Sequence, residues 1–172
     1  MRVTRRLWST MLLGLVFLTL APAAYAASQT DGTGSRSSVT TIGADEFESR
    51  LLARANYRRA AQGCRALRLN GSLVLAARRH STLMSADGDL SHRLAGEPDL
   101  APRVVNAGYT HWRMLAENLA WGQATPGAVF RAWVNSPGHR ANLDNCRLRD
   151  VGFGVVLVDG RPWVTADFGR HF

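Results

Sequence analysis

Three residues with metal-binding or acid/base side chains, His92, Glu117 and His139, stand in short polar segments framed by apolar residues. Two imidazoles and one carboxylate can bind Zn²⁺ with water in the open position, the composition of many hydrolytic sites. They can equally form a hydrogen-bonded acid/base cluster. No two of them are spaced i, i+3 or i, i+4, so the helical zinc motif is absent. They act together only if the fold brings them into one cleft.

Glu117 is the candidate general base of such a cleft, and its neighbours are mostly leucine, alanine and tryptophan. A carboxylate in these surroundings must find hydrogen-bond partners or have a raised pKa. One interpretation is that the side chain points inward with partners, since Asn118 beside it offers a hydrogen bond. The other is that it lies in a strand and alternates outward into water. We favour the first interpretation.

Other residues that could carry chemistry have less support. His80 falls on the apolar face of a predicted helix, which favours a packed histidine, and His111 and His171 have no supporting context. The chain contains no Gly-x-Ser-x-Gly nucleophile elbow, Walker loop or dinucleotide-binding fingerprint. No such activity is therefore predicted.

Residues 1–26 have the pattern of a signal peptide: arginines at the start, an apolar run over residues 11–20 and an Ala-Tyr-Ala sequence at the end. The alternative is a membrane anchor that stays attached, but the run is shorter than the roughly 20 residues that span a bilayer. No later segment is apolar enough to span a membrane. We expect an exported product that is secreted or periplasmic.

Ser, Thr and Gly dominate residues 27–43, which predicts a flexible linker, and residues 44–172 then form one domain. The formal charge is +8, and every basic residue is arginine. The arginines are scattered and do not interleave with aromatic residues, so no nucleic-acid partner is predicted. A basic exported protein could adhere to anionic envelope polymers.

The two cysteines, Cys64 and Cys146, favour a disulfide in an exported chain. The chain-entropy model gives such a bridge a stabilisation of about 4 kcal/mol. The alternative is a pair of buried free thiols. Neither cysteine has the context of a nucleophile.

Helical periodicity dominates the first two thirds of the domain. Thr125 and Pro126 are typical of a helix start, and Pro137 requires that this helix end near Asn135 before a new turn carries His139. The other predicted helices cover residues 45–62, a segment from Asn70 or Ser72 to a break at 87–89, and residues 98–107.

The end of the domain changes to alternation with period two. Residues 151–158 and 163–168 predict two strands joined by an Asp159-Gly160 turn. Gly152 and Gly154 within the first strand indicate that another backbone approaches closely. Helices followed by an antiparallel hairpin predict an α+β class.

These segments resemble the CAP superfamily (cysteine-rich secretory, antigen 5 and pathogenesis-related 1 proteins, with the SCP domain) in its compact bacterial form. The resemblance covers residues 51–168. It rests on Asn-Tyr-Arg at 56–58, Ala-Ala-Arg-Arg-His-Ser at 76–81, Leu-Ser-His at 90–92, Arg103, Ala-Gly-Tyr at 107–109, Ala-Glu-Asn-Leu-Ala at 116–120, Ala-Trp-Val-Asn-Ser-Pro-Gly-His-Arg-Ala-Asn-Leu at 132–143 and Val-Gly-Phe-Gly at 151–154.

The resemblance implies an α-β-α sandwich, in which helices flank a small antiparallel sheet. It also implies a cleft of two histidines and two acidic residues that holds a divalent metal in some members. His92, Glu117 and His139 occupy three of these positions, and His92 and His139 are the implied metal ligands. The fourth position falls near Ser136, where this chain has no acid.

We therefore expect an exported binding module rather than an enzyme. Its cleft would recognise an extracellular ligand: a lipid, an envelope component or a divalent metal such as Zn²⁺. The alternative is a metal-assisted or acid/base hydrolase of peptide or cell-wall substrates, with Glu117 as the base. In a third hypothesis the polar residues only fix the fold, and lipid binds at Trp112 or Trp121.

Overall fold

The computed structural model describes residues 42–172, so the predicted signal peptide and most of the predicted linker lie outside the described part. No helix within residues 42–172 has both the length and the apolar character that a bilayer crossing requires. The helices are α1 (Ala44–Ala61), α2 (Gly71–Asp87), α3 (Leu100–Asn106), α4 (Pro126–Asn135) and α5 (Pro137–Asp144), and the strands are β1 (Arg68–Leu69), β2 (Trp112–Trp121), β3 (Asp150–Val158) and β4 (Arg161–His171).

The four strands form one sheet in the order β1-β3-β4-β2. β3 pairs antiparallel with β4, and so does β2. The predicted antiparallel sheet is thus mixed, because the two-residue β1 runs parallel to β3. β1 is too short for alternation to reveal it in the sequence. The β3–β4 hairpin is confirmed, with positive φ at Asp159 (49°) and Gly160 (72°), as a type I′ turn requires.

Side-chain capping sets where α2 and α4 begin. The Asn70 side chain accepts from the backbone N–H groups of Ser72 and Leu73, so α2 starts where predicted. Thr125 caps α4 in the same way. Ser136 has extended backbone angles (φ −91°, ψ 119°) between α4 and α5, which confirms the break before Pro137.

Glycine lets α2 lie directly on the sheet. A Cβ at Gly152 would be 2.1 Å from the carbonyl carbon of Leu73, and a Cβ at Gly154 would be 2.3 Å from that of Ala77. Any side chain at these positions would overlap the helix backbone. The predicted close approach is confirmed, and α2 covers the face of the sheet on which the polar residues of the site lie.

The opposite face of the sheet carries the main apolar core, beneath α1, α4 and α5. The family's α-β-α layering, with helices on both faces, is therefore present. The predicted linker contributes to this core, since Ile42 packs against it. The largest fully buried side chains of this core are those of Phe47, Leu51, Trp133, Leu143, Leu148, Phe153 and Phe168.

The predicted disulfide joins Cys64, which follows α1, to Cys146, which follows α5, with 4.9 Å between the Cα atoms. Beside it lies Arg59, whose side chain is completely buried. Its guanidinium donates to four main-chain carbonyls of the same two segments, so hydrogen bonds and a covalent bond hold them together. The acceptors are the carbonyls of Arg65, Leu143, Asn145 and Leu148.

Candidate functional site

Glu117 lies in the middle of β2, at the edge of the sheet, with only 4% of its side chain exposed. Nδ1 of His92 donates to its Oε1 at 2.7 Å, and Nη2 of Arg103 donates to its Oε2. The carboxylate is thus inward and partnered on both oxygens, the first of the two interpretations. The partners come from the loop after α2 and from α3.

Asn118 does not support the Glu117 carboxylate as we expected. Successive residues of a strand point to opposite faces, so Asn118 points towards α5. Its Nδ2 donates to the carbonyl of His139 at 3.0 Å, and its Oδ1 accepts from Nδ2 of Asn142 at 2.8 Å. Asn142 also donates to the Glu117 carbonyl at 3.1 Å. Asn118 therefore positions the helix that carries His139.

His92 and His139 approach β2 from the two sides. The His92 side chain is 63% exposed, and its hydrogen bond to Glu117 raises its pKa. His139 lies half-buried in the first turn of α5, where burial and then the positive charge of His92 lower its pKa. The structure thus brings His92 directly onto Glu117. The backbone of His139 is tied to the same strand through Asn118.

Behind Glu117 lies a buried polar cluster that the sequence did not reveal. Nδ1 of His80 donates to both oxygens of Glu97 at 2.9 Å, and Nη1 of Arg103 lies 3.3 Å from Oε1 of Glu97. Nε2 of His80 lies 3.9 Å from Oε2 of Glu117. His80 is buried, as predicted, but its partner is an acid. Glu97 lies in a loop without periodicity, so no local pattern identified it.

Asp167 completes this cluster from β4, where it stands opposite Glu117 in the strand register. Both of its side-chain oxygens are buried without a hydrogen-bond partner in the described part of the chain. Burial and then the negative charge of Glu117 raise the pKa of Asp167 well above its usual value. An aspartate that interrupts an apolar strand was the available sequence signal, and we missed it.

The surroundings shift the pKa values of the neighbouring carboxyls of Glu117 and Asp167 in opposite directions. Burial acts to raise the pKa of Glu117, but the hydrogen bond from His92 and the charge of Arg103 outweigh it and lower this pKa. Asp167 has no such cationic hydrogen-bond partner among residues 42–172. The cluster therefore favours an ionised Glu117 and a protonated Asp167.

The residues present do not fit a divalent metal. Within residues 42–172, no group of three or more His, Cys, Asp or Glu side chains is arranged to hold one. Both oxygens of Glu117 are already bonded, one of them by the cationic Arg103. The position near Ser136 adds no acid. Metal binding by His92 and His139 stays a prediction, which these contacts do not favour.

The two tryptophans considered for lipid binding differ in their surroundings. Trp112 is half-buried and packs against the cluster of Leu73 and Tyr109. Trp121 is 42% exposed, and its ring lies 5.4 Å from that of Trp163, centroid to centroid. Of these two tryptophans, Trp121 is the more exposed, and lipid binding there remains a prediction.

Comparison with known proteins supports the family. Residues 52–168 match the model of the CAP domain of the cysteine-rich secretory protein family. The uncharacterized protein YkwD of Bacillus subtilis (strain 168) is 28% identical over 147 residues, which cover 84% of this chain and 56% of that protein. The chain thus spans about half the length of this relative.

Solved structures show the same fold. An outer surface protein of Borrelia burgdorferi superposes with a TM-score of 0.70 at 21% identity, covering 76% of this chain and 97% of that one. An extracellular SCP-domain protein of Bacillus anthracis gives 0.67 at 24% identity, covering 74% of this chain and 41% of that one. With a family match over most of its domain and this shared α+β architecture, the chain belongs to the CAP family, the cysteine-rich secretory protein family.

Proposed function

We propose that this chain is an exported CAP-domain binding module whose cleft, formed by His92, Glu117 and His139, binds an extracellular ligand. The observation that carries the proposal is the 2.7 Å contact between His92 and Glu117. Because the buried carboxylate holds Nδ1, the imidazole has a defined orientation and Nε2 is the nitrogen available to a ligand. The disulfide and the extracellular or surface location named for the structural relatives support export.

The ligand chemistry that suits the cleft is that of an envelope component with hydrogen-bond acceptors. The contact with Glu117 favours the protonated form of His92, which is a hydrogen-bond donor. Burial and the charge of His92 favour the neutral form of His139. One donor beside a neutral imidazole matches carbonyl and hydroxyl groups, which both glycan strands and their peptides carry. The hydrogen bond from Arg103 behind Glu117 helps to hold the carboxylate that orients His92.

Binding can be tested by NMR titration of the His92 and His139 side-chain signals with soluble peptidoglycan fragments. Lipid vesicles and ZnCl₂ serve as separate arms that distinguish the other ligand classes. We expect saturable shifts that are lost in His92→Ala and His139→Ala without a large change in Tm. His111→Ala, at an exposed position elsewhere, is the control. Unfolding of both site variants would show instead that these residues are structural.

The hydrolase alternative is favoured by one feature: a buried carboxylate that orients an exposed imidazole is an arrangement in which histidine acts as a general base. We expected Glu117 to be the base, but its side chain is buried with both oxygens bonded. His92 is the member of the pair that can reach a substrate. Release of products from cell-wall or peptide substrates, lost in His92→Ala, would support catalysis over binding.

A further inference from the structure

A second candidate site lies at the opposite edge of the sheet from His92 and Glu117. Three arginines, Arg65, Arg68 and Arg149, together with Ala66, enclose a cavity of about 240 Å³. Arg65 and Ala66 lie just before β1, Arg68 lies in β1, and Arg149 lies just before β3, the strand that pairs in parallel with β1. Arg149 is distant from the other two arginines along the sequence, and the pairing of β1 with β3 brings it to the same cavity.

The positive charge of this cavity is only partly neutralised. Arg68 bonds Oδ1 of Asp150 at 2.9 Å, while the other oxygen of Asp150 accepts from the Tyr109 hydroxyl at 3.0 Å. Neither Arg65 nor Arg149 forms an ion pair in the described part of the chain. Of the three guanidinium groups, only that of Arg68 is thus paired with a carboxylate, and that carboxylate is itself almost fully buried.

Arg149 has a hydrogen-bonding group that lacks a partner. Its Nη1 is buried and makes no hydrogen bond to any residue between 42 and 172. Its charge also reaches the core: burial and then the charge of Arg149 lower the pKa of Arg59. A buried donor without an acceptor is unfavourable, and because Arg149 lines the cavity, an anion there would offset its charge and reduce the repulsion between the arginines.

The two arginine-bearing segments are held together before any ligand binds. Cys64 directly precedes Arg65, and Cys146 lies three residues before Arg149, so the disulfide joins the two segments close to the cavity. Arg59 donates to the carbonyls of Arg65 and Leu148 as well. A preorganised cavity loses less conformational entropy on binding than a mobile one.

We propose that the cavity of Arg65, Arg68 and Arg149 binds a phosphate group, either free or as part of a lipid headgroup. Planar guanidinium groups donate two parallel hydrogen bonds to phosphate oxygens, and several of them can surround one tetrahedral anion. This site is independent of the proposed cleft at β2. Part of the positive charge of the chain would thus serve to bind an anion at one defined site.

The first test follows the arginine side-chain N–H signals by NMR during titration with sodium phosphate, against sodium chloride at equal ionic strength. We expect saturable, phosphate-specific shifts for the three arginines. Arg149→Gln should weaken binding about tenfold, the change that accompanies loss of one charge-assisted hydrogen bond. Arg113→Gln removes the same charge from β2, at the far edge of the sheet, and should leave binding unchanged.

Equal weakening by Arg113→Gln, or shifts that chloride reproduces, would overturn the proposal, because general electrostatic attraction would then explain the binding. If Arg149→Gln lowers the Tm strongly, Arg65→Gln at an exposed position replaces it in the same comparison.

The source of the phosphate is distinguished by sedimentation with vesicles. Binding to phosphatidylglycerol vesicles but not to phosphatidylcholine vesicles, lost in Arg149→Gln, assigns the site to an anionic headgroup. Phosphate-specific shifts without vesicle binding assign it to the free anion. Absence of both would show that the cavity is not a phosphate site.

Discussion

Glu117 and Asp167 face each other across β2 and β4, yet only Glu117 is hydrogen-bonded to Arg103 and His92. The pKa values of these two carboxyls, which share one buried cluster, are therefore shifted in opposite directions. The cations His92 and Arg103 lower the pKa of Glu117, whereas burial and the charge of Glu117 raise that of Asp167. An ionised carboxylate is thereby held against His92, while the second acid is driven towards its neutral form.

The first prediction concerns Asp167→Asn. The folded pKa of Asp167 is raised, so its contribution to stability is fully present below the unfolded pKa of about 3.9 and is lost as pH rises through the folded pKa. Asparagine has no proton to lose. We expect the variant to gain stability relative to the wild type as pH rises from 4, measured by urea unfolding at several pH values.

The control for this experiment is Asp159→Asn, at an exposed turn position. It should leave the pH dependence of the free energy of unfolding unchanged. A constant stability difference between wild type and Asp167→Asn across the pH range would contradict the raised pKa.

The second prediction concerns His92. Its hydrogen bond to Glu117 is the main reason for its raised pKa, so Glu117→Gln should lower the pKa of His92. NMR titration of the His92 ring protons measures this directly. Glu46→Gln removes an exposed carboxylate from α1 and should not change the titration. An unchanged His92 titration in Glu117→Gln would mean that the 2.7 Å contact does not form in solution.

The third prediction concerns the contact between α2 and the sheet. In Gly154→Ala the new methyl group would lie 2.3 Å from the Ala77 backbone, so helix and strand must separate. We expect a loss of about 3 kcal/mol in the free energy of unfolding, at the upper end for overpacked cores, measured in urea. Gly138→Ala enters open space at a helical position and should change stability little. Similar stability of the two variants would argue against the close approach.

The fourth prediction concerns the disulfide between Cys64 and Cys146. Reduction frees a long loop in the unfolded chain, so we expect stability to fall by about 4 kcal/mol on the chain-entropy model. Guanidinium unfolding with and without reductant measures the loss. A double variant, Cys64→Ser with Cys146→Ser, should have the same stability as the reduced protein, and reductant should not change it. Stability that is insensitive to reductant in the wild type would show that the bridge is not formed.

Features that depend on neighbouring residues were predictable from the sequence. The break at Ser136 and the hairpin turn at Asp159 follow from backbone preferences that act within a few residues, and a glycine inside a strand predicted the close approach at Gly154. The family resemblance also identified His92 and Glu117, whose contact the structure shows. The reason we gave for a partnered Glu117 was wrong, because strand alternation sends Asn118 to the other face.

The sequence alone determined the α+β class, the cysteine pair and the principal candidate residues, because capping, periodicity and turn chemistry are encoded locally. Only the tertiary structure decided that Glu97, Arg103 and Asp167 join the site and that Arg65 and Arg149 share a cavity. Those groups are distant along the chain, and their association depends on strand pairing and on the burial of charge. Each is a property of the packed domain rather than of any segment.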